Sequence, residues 1–273
     1  MQLLIGSMFN FFCFTNNKFM RNPRYFSDMA VEFCKARRTY QDGTVKFYEV
    51  RVDEKMSKKL DRPCGNYTTV ETSCVMNSAV DEYAKVSKAL AGVLGDYLRD
   101  CNKIMVVGLG NPDLAADSLG DRAFKRIKVT RQFDREKYLC ALTPNVLGMT
   151  GIESFDIIAA VVDRIKPDAL IVIDSLTAAA PHRIASAFQV TDSGITPGSG
   201  VENHRPRIDR ASLGIKVVSI GVPLVVYAST IARAYCAGTG DSNFDMVVTP
   251  KDVDVLVEHC AGLIADAINS AFA

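Results

Sequence analysis

Two stretches of this chain are apolar at every position, Ile104-Met-Val-Val107 and Ala169-Leu-Ile-Val-Ile173, and each ends abruptly, the first on Gly108-Leu-Gly110 and the second on Asp174-Ser175. A strand with no polar face is covered on both sides, so such runs belong inside a parallel sheet between helix layers. Further strand patterns at Tyr138–Leu142, Ala185–Val190, Lys216–Ile220 and Met246–Thr249 alternate with helical spacing at Asp117–Ile127, Gly151–Ile165, Val225–Tyr235 and Lys251–Ala271. Alternation of this kind predicts an α/β fold, a mostly parallel sheet with helices on both faces. In such folds ligands and chemistry collect at the carboxyl ends of the strands. The glycine loop leading to Asp117, and Asp174 itself, fall at two such ends.

Upstream of this pattern, Thr44–Val52 alternates apolar and polar residues with a break near Tyr48 and Glu49, and Ser78–Arg99 has helical spacing. Residues 27–100 are therefore expected to form a small N-terminal β-containing subdomain. Residues 101–273 form the core of the same α/β domain, and residues 1–26 an extension. With 273 residues, 48% of them hydrophobic, the chain can bury a full core. A net charge of +1 provides no overall field for nucleic acid or an anionic membrane. The eight cysteines lack any C-x-x-C pair, as expected of buried thiols in a reducing cytoplasm. The apolar start, Met1 to Phe14, has no basic residue before it, no small-residue cleavage pattern after it, and too few residues to span a bilayer. No other segment is expected to cross a membrane. Gly108-x-Gly110 lacks the remaining glycine of a dinucleotide loop, and no phosphate-binding G-x-x-x-x-G-K-[ST] occurs, so no cofactor is expected. The glycine-rich and proline-rich segment Asp192–Arg207 reads as a surface loop that can carry function.

Lys58-Lys-Leu-Asp-Arg-Pro-Cys-Gly-Asn-Tyr-Thr-Thr-Val-Glu71, Val106-Val-Gly-Leu-Gly-Asn111, Asp117-Ser-Leu-Gly120, Thr143-Pro-Asn-Val-Leu-Gly-Met-Thr-Gly-Ile-Glu153, Lys166 to Leu176, Gly194-Ile-Thr-Pro-Gly-Ser-Gly-Val201, Ile220-Gly-Val-Pro223 and Val248 to Asp254 occur in one order. Together they resemble the germination protease family, spore endopeptidases that degrade small acid-soluble spore proteins. Ser27-Asp-Met-Ala-Val-Glu32 is similar to the phrase near the start of the mature enzyme. The resemblance implies a fold similar to hydrogenase-maturation endopeptidases, a zymogen with residues 1–26 as removable pro-segment, a homotetramer, and action in the cytoplasm of the spore core. It also implies that Asp117 and Asp174 are the catalytic aspartates. Three positions depart from the family pattern: Gln132 in place of histidine, Tyr227 in place of aspartate, and Ala178–Ala180 where an arginine is usual.

The residues themselves fit this chemistry. Hydrolysis without a metal or a nucleophilic side chain needs one carboxylate to activate water and one acid to protonate the departing nitrogen. Two aspartates a few ångströms apart share one proton, because like charges disfavour double ionisation. Asp117 opens its helix, where the dipole favours the ionised form and hence the base role. A helix cap at Asp117 and a turn at Asp174 remain alternative uses of the same acids. Gly108, Gly110 and Asn111 offer backbone amides to a substrate oxygen, although glycine also serves tight turns. Arg183, Arg205 and Arg207 are candidate partners for an acidic substrate side chain. Two other readings stay open: a weakly active paralogue that only binds spore proteins, and a metal-dependent hydrogenase-maturation-type endopeptidase with His182 or His204 as ligand.

Overall fold

The computed structural model describes residues 27–60, 62–198, 205–235 and 246–273. The expected pro-segment, His204 and part of the Asp192–Arg207 loop lie outside the described residues. The strands are β1 (Arg38–Asp42), β2 (Val45–Val52), β3 (Gly65–Glu71), β4 (Lys103–Gly108), β5 (Tyr138–Leu142), β6 (Ala169–Ala178), β7 (Ala187–Thr191), β8 (Lys216–Tyr227) and β9 (Val247–Val248). The helices are α1 (Ala30–Phe33), α2 (Glu54–Leu60), α3 (Tyr83–Leu98), α4 (Leu119–Phe124), α5 (Leu147–Thr150), α6 (Ser154–Ile165), α7 (Arg210–Leu213), α8 (Ala228–Tyr235) and α9 (Val253–Phe272).

Among the described residues all nine strands join one mixed sheet in the order β1-β2-β3-β7-β8-β6-β4-β5, with β9 paired to β8. The four strands β8, β6, β4 and β5 are parallel, the part that the apolar runs foretold. Alternate residues of these strands feed two cores. Ile104 and Val106 of β4, with Ala169, Ile171 and Ile173 of β6, pack under α3, α4 and α9. Met105, Val107, Leu170 and Val172 pack under α6 on the opposite face. The apolar α9 is long enough to cross a bilayer, but half of it is buried, against α3, α4 and the sheet.

The other wing is antiparallel and adds β1, β2 and β3 to the same sheet through β7. Only residues 179–186 separate β6 from β7. A parallel return needs a dozen or more residues, so β7 must run back. Gly43, at a φ of 59°, makes the tight turn that folds β1 onto β2.

The expected break in β2 is absent. Val45 and Phe47 pack into the α3 core, while Val50 and Val52 pack on α1 and α2 from the other side. The apolar phase slips because the strand is covered on different faces in its two halves, with its hydrogen-bonded pairing uninterrupted. The segment expected as helix from Val225 begins as strand, since β8 runs through Gly221-Val-Pro223 to Tyr227 before α8. Proline is tolerated there beside the irregular register between Leu176 and Thr177 of β6.

If β2 is covered on opposite faces in its two halves, Val45→Thr and Val50→Thr should each destabilise the fold by about 1–3 kcal/mol, because each buries a hydroxyl. Thr at the exposed Lys46 or Arg51 should leave stability nearly unchanged. Urea unfolding of the four variants distinguishes this from a broken strand, which would spare one of the two valines.

Candidate active site

The site is made by strands of unequal length. β4 stops at Gly108, opposite Ile173, whereas β6 and β8 run on together to Ala178 and Val226. Asp174 therefore does not end its strand, as the sequence suggested; it lies where its β4 neighbour leaves. Backbone groups on one edge of a strand belong to alternate residues. On the edge that β4 vacates, the Ile173 carbonyl accepts from the Leu109 N–H at 2.8 Å, and the Thr177 carbonyl accepts from the Asp28 N–H at 2.8 Å. Between them, the Ser175 N–H donates to Asp174 Oδ1 at 2.9 Å. Asp174 thus sits in a notch between the β4 loop and the N-terminal segment.

From Leu109 the chain passes through Gly110 to a 3-10 turn at Ala115–Asp117 and then into α4. A Cβ at Gly108 would strike the backbone of Gly120, and one at Gly120 would strike the backbone of Leu109. These glycines let α4 pack directly on the end of β4. Gly110, at a φ of 106°, leaves no room for a side chain beside the Asp117 carbonyl. Its loop folds back so that the Asn111 N–H donates to Asp117 Oδ2 at 2.8 Å. Asp117 is not the cap of α4, which starts at Leu119 behind Ser118. The Asn111 amide is spent on Asp117 rather than left for a substrate oxygen.

Burial pushes the Asp174 carboxyl well above the ordinary carboxylate range, and the charge of Asp117 adds to the rise, partly opposed by the Ser175 N–H; Asp28 pushes further in the same direction. Burial also raises Asp117, opposed by the Asn111 N–H and by the Arg205 guanidinium. What favours ionised Asp117 is thus an amide and a cation rather than the dipole of a helix that begins two residues later. The pair is asymmetric: Asp174 is the better holder of a proton and Asp117 the better carboxylate.

Of the three arginines, only Arg205 acts on the pair. Arg183 is engaged by Glu71 at 2.6 Å and Glu32 at 3.1 Å, both little exposed. Arg207 pairs with Asp209 at 2.8 Å and donates to the Ser193 carbonyl. Asp192, in the loop phrase Asp192-Ser-Gly194, accepts from the Asn66 backbone and side chain and ties β7 to β3. Gln132 donates to the Val129 carbonyl on the surface, Ala179 and Ala180 give backbone N–H groups to Glu32, and Tyr227 is buried at the end of β8. Among the described residues no group of three or more His, Cys, Asp or Glu side chains is arranged to hold a metal ion, and His182 is exposed. The residue that sequence reasoning missed is Asp28. Its phrase, Ser27 to Glu32, signalled only a chain start, and nothing local in it points to β6, more than 140 residues away.

A family model described as germination protease matches residues 24–236. The germination protease of Caldanaerobacter subterraneus subsp. tengcongensis is 35% identical over 83% of this chain and 84% of its own. That of Clostridium tetani is 32% identical over 85% of this chain and 86% of its own. Among solved structures, a NiFe hydrogenase maturation protease from Thermococcus kodakarensis KOD1 aligns over 64% of this chain and 98% of its own, with a TM-score of 0.41 and 18% identity.

Two outcomes follow from the geometry. Gly120→Ala should cost about 1–3 kcal/mol in urea unfolding, since the obstructing Leu109 atoms are backbone and cannot rotate away. Because the Asp174 carboxyl is raised in the fold, its contribution to stability is fully present below the unfolded carboxylate pKa and is lost as pH rises towards the raised value. Asp174→Asn should therefore raise the melting temperature more at pH 8 than at pH 4; an equal change at both would contradict the raised carboxyl.

Proposed function

The chain belongs to the germination protease family, which makes it a protease acting in germination, and we propose that it is an endopeptidase that opens small acid-soluble spore proteins through water activated by Asp117 and Asp174. The observation that carries this reading is the asymmetric carboxyl pair in the notch beside β4, one member biased to hold a proton and the other to lack one. A water lying between them gives a proton to Asp117 as its oxygen adds to the scissile carbonyl carbon. The carbon–nitrogen bond then breaks while Asp174 protonates the departing nitrogen. Passage of the proton from Asp117 to Asp174 restores the starting state.

Spore proteins of this class are substrates by family resemblance, which also points to cleavage next to acidic residues. Arg205, within electrostatic reach of Asp117, is the arginine best suited to receive such a side chain, because Arg183 and Arg207 are already paired. The pro-segment, the tetramer and the spore core stand on the same resemblance.

Incubation with a purified acid-soluble spore protein tests the proposal. Wild type should yield a few discrete fragments, and Asp117→Asn and Asp174→Asn should each slow cleavage by about 10²–10⁴-fold, the usual contribution of a general acid or base. Removing residues 1–26 should raise the rate. Substrate that is bound but left intact by wild type would point to a binding protein instead, and undiminished cleavage by either Asn variant would remove the carboxyl pair from the mechanism.

A further inference from the structure

Two loops leave the carboxyl ends of the neighbouring strands β4 and β5, which pair in parallel as far as Val107 and Leu142. The first of them carries Asp117. Both hold large apolar side chains out to solvent: Leu114 is 57% exposed in the first, and Leu147, Met149 and Ile152 are 36%, 48% and 50% exposed in the second. Apolar side chains met singly on a surface need no explanation. Here four fall in two short segments at one end of one strand pair, beside the acids, and apolar surface gathered in this way marks a place where something binds.

The second loop is braced from within. The Gly151 N–H donates to the Leu147 carbonyl at 2.8 Å and closes α5, Thr150 Oγ1 donates to the Ile152 carbonyl at 3.0 Å, and Ser154 Oγ donates to the Asn145 carbonyl at 2.8 Å. No residue of α5 is buried, and a Cβ at Gly148 or Gly151 would meet nothing within 4 Å, so the space beside the helix is open. The loop bonds its polar groups to itself and leaves its apolar side chains outside. The first loop is tied to the acid it carries: the Asp117 N–H donates to the Leu114 carbonyl at 2.8 Å, and the Leu114 N–H to the Asn111 carbonyl at 3.2 Å. Neither Asn111–Asp117 nor Thr143–Glu153 contains a lysine or an arginine. The cation that acts on the carboxyl pair, Arg205, comes from a different loop.

We propose that Leu114, Leu147, Met149 and Ile152 form a docking surface for an uncharged, apolar stretch of the substrate chain adjoining the cut bond. The proposal rests on the paired-aspartate reading, which fixes where that bond lies. A substrate whose scissile carbonyl meets the two acids has the β4 loop at one flank, and the β5 loop is the next one outward, since β5 ends the strand order. That flank has apolar side chains and no cation. A nucleic acid would find no partner there for its phosphates, and an acidic side chain is drawn instead to Arg205. Contacts of this kind hold the substrate equally before and during the chemical step, so their loss is read in KM and not in kcat.

The test uses the full chain with a purified acid-soluble spore protein and with two peptides spanning the cut made by wild type, one of native sequence and one with its apolar residues replaced by serine. The double variant Leu147→Ser/Met149→Ser should raise KM for the spore protein about tenfold and leave kcat within about twofold of wild type. Wild type should prefer the native peptide to the serine peptide by about tenfold in kcat/KM, and the variant should lose that preference, because the two changes remove one contact from its two sides. An unmoved KM, or a variant that still separates the peptides in full, would overturn the proposal. So would sedimentation showing that the variant loses an assembly along with its affinity, which would give this face to a second copy of the chain. Full cleavage by Asp117→Asn and Asp174→Asn would sink the paired-aspartate reading, while the peptide preference would still report on the docking surface. Should serine weaken α5, Met149→Gln/Ile152→Gln carries the same measurement.

Discussion

The early end of β4 is the constraint on which the rest of the site depends. Were β4 as long as β6, the Ser175 N–H would pair with a neighbouring strand, and Asp174 would face packed backbone. Because β4 turns away at Gly108, β6 and β8 continue as a two-stranded ledge, and its open edge must find partners elsewhere. It finds three: Leu109 of the departing loop, the Asp174 carboxyl, and Asp28 from the far end of the chain. The same opening creates the space for Asp117 and directs it there, through glycines at 108, 110 and 120 that allow α4 to close on the strand end.

Gathering acids here opposes stability. Three carboxyls share an interior in which burial alone disfavours their charged forms, and the charges of Asp117 and Asp28 raise the cost of ionising Asp174. The strain is borne by the surrounding cores, whose Leu, Ile and Val side chains each contribute about 1.5–3 kcal/mol when fully buried. The parallel strands β4 and β6 are covered on both faces.

Much of this was legible in the sequence. The two all-apolar runs identified the parallel core because only a doubly covered strand lacks a polar face. The glycines before Asp117 marked the strand-to-helix passage, and the string of ordered phrases carried the family. The boundaries that failed did so for physical reasons. Gly221-Val-Pro223 looks like a stop, but the register irregularity in β6 accommodates it. The slip of phase in β2 looks like a break, but reports two cores instead of one. Asp28 and the engagement of Arg183 by Glu32 and Glu71 depend on contacts across more than a hundred residues, which no local periodicity encodes.

The clamp between Asp28 and Thr177 also bears on how the molecule keeps to itself. An unpaired strand edge is a template for a foreign chain, and proteins usually blunt such edges with charge or with a cover. Here the cover is the segment around Asp28, held to Thr177 through its backbone and its side chain. Trimming upstream of Ser27 leaves that cover seated; trimming a few residues further would uncover a bare ribbon of β6, open to self-association as well as to solvent.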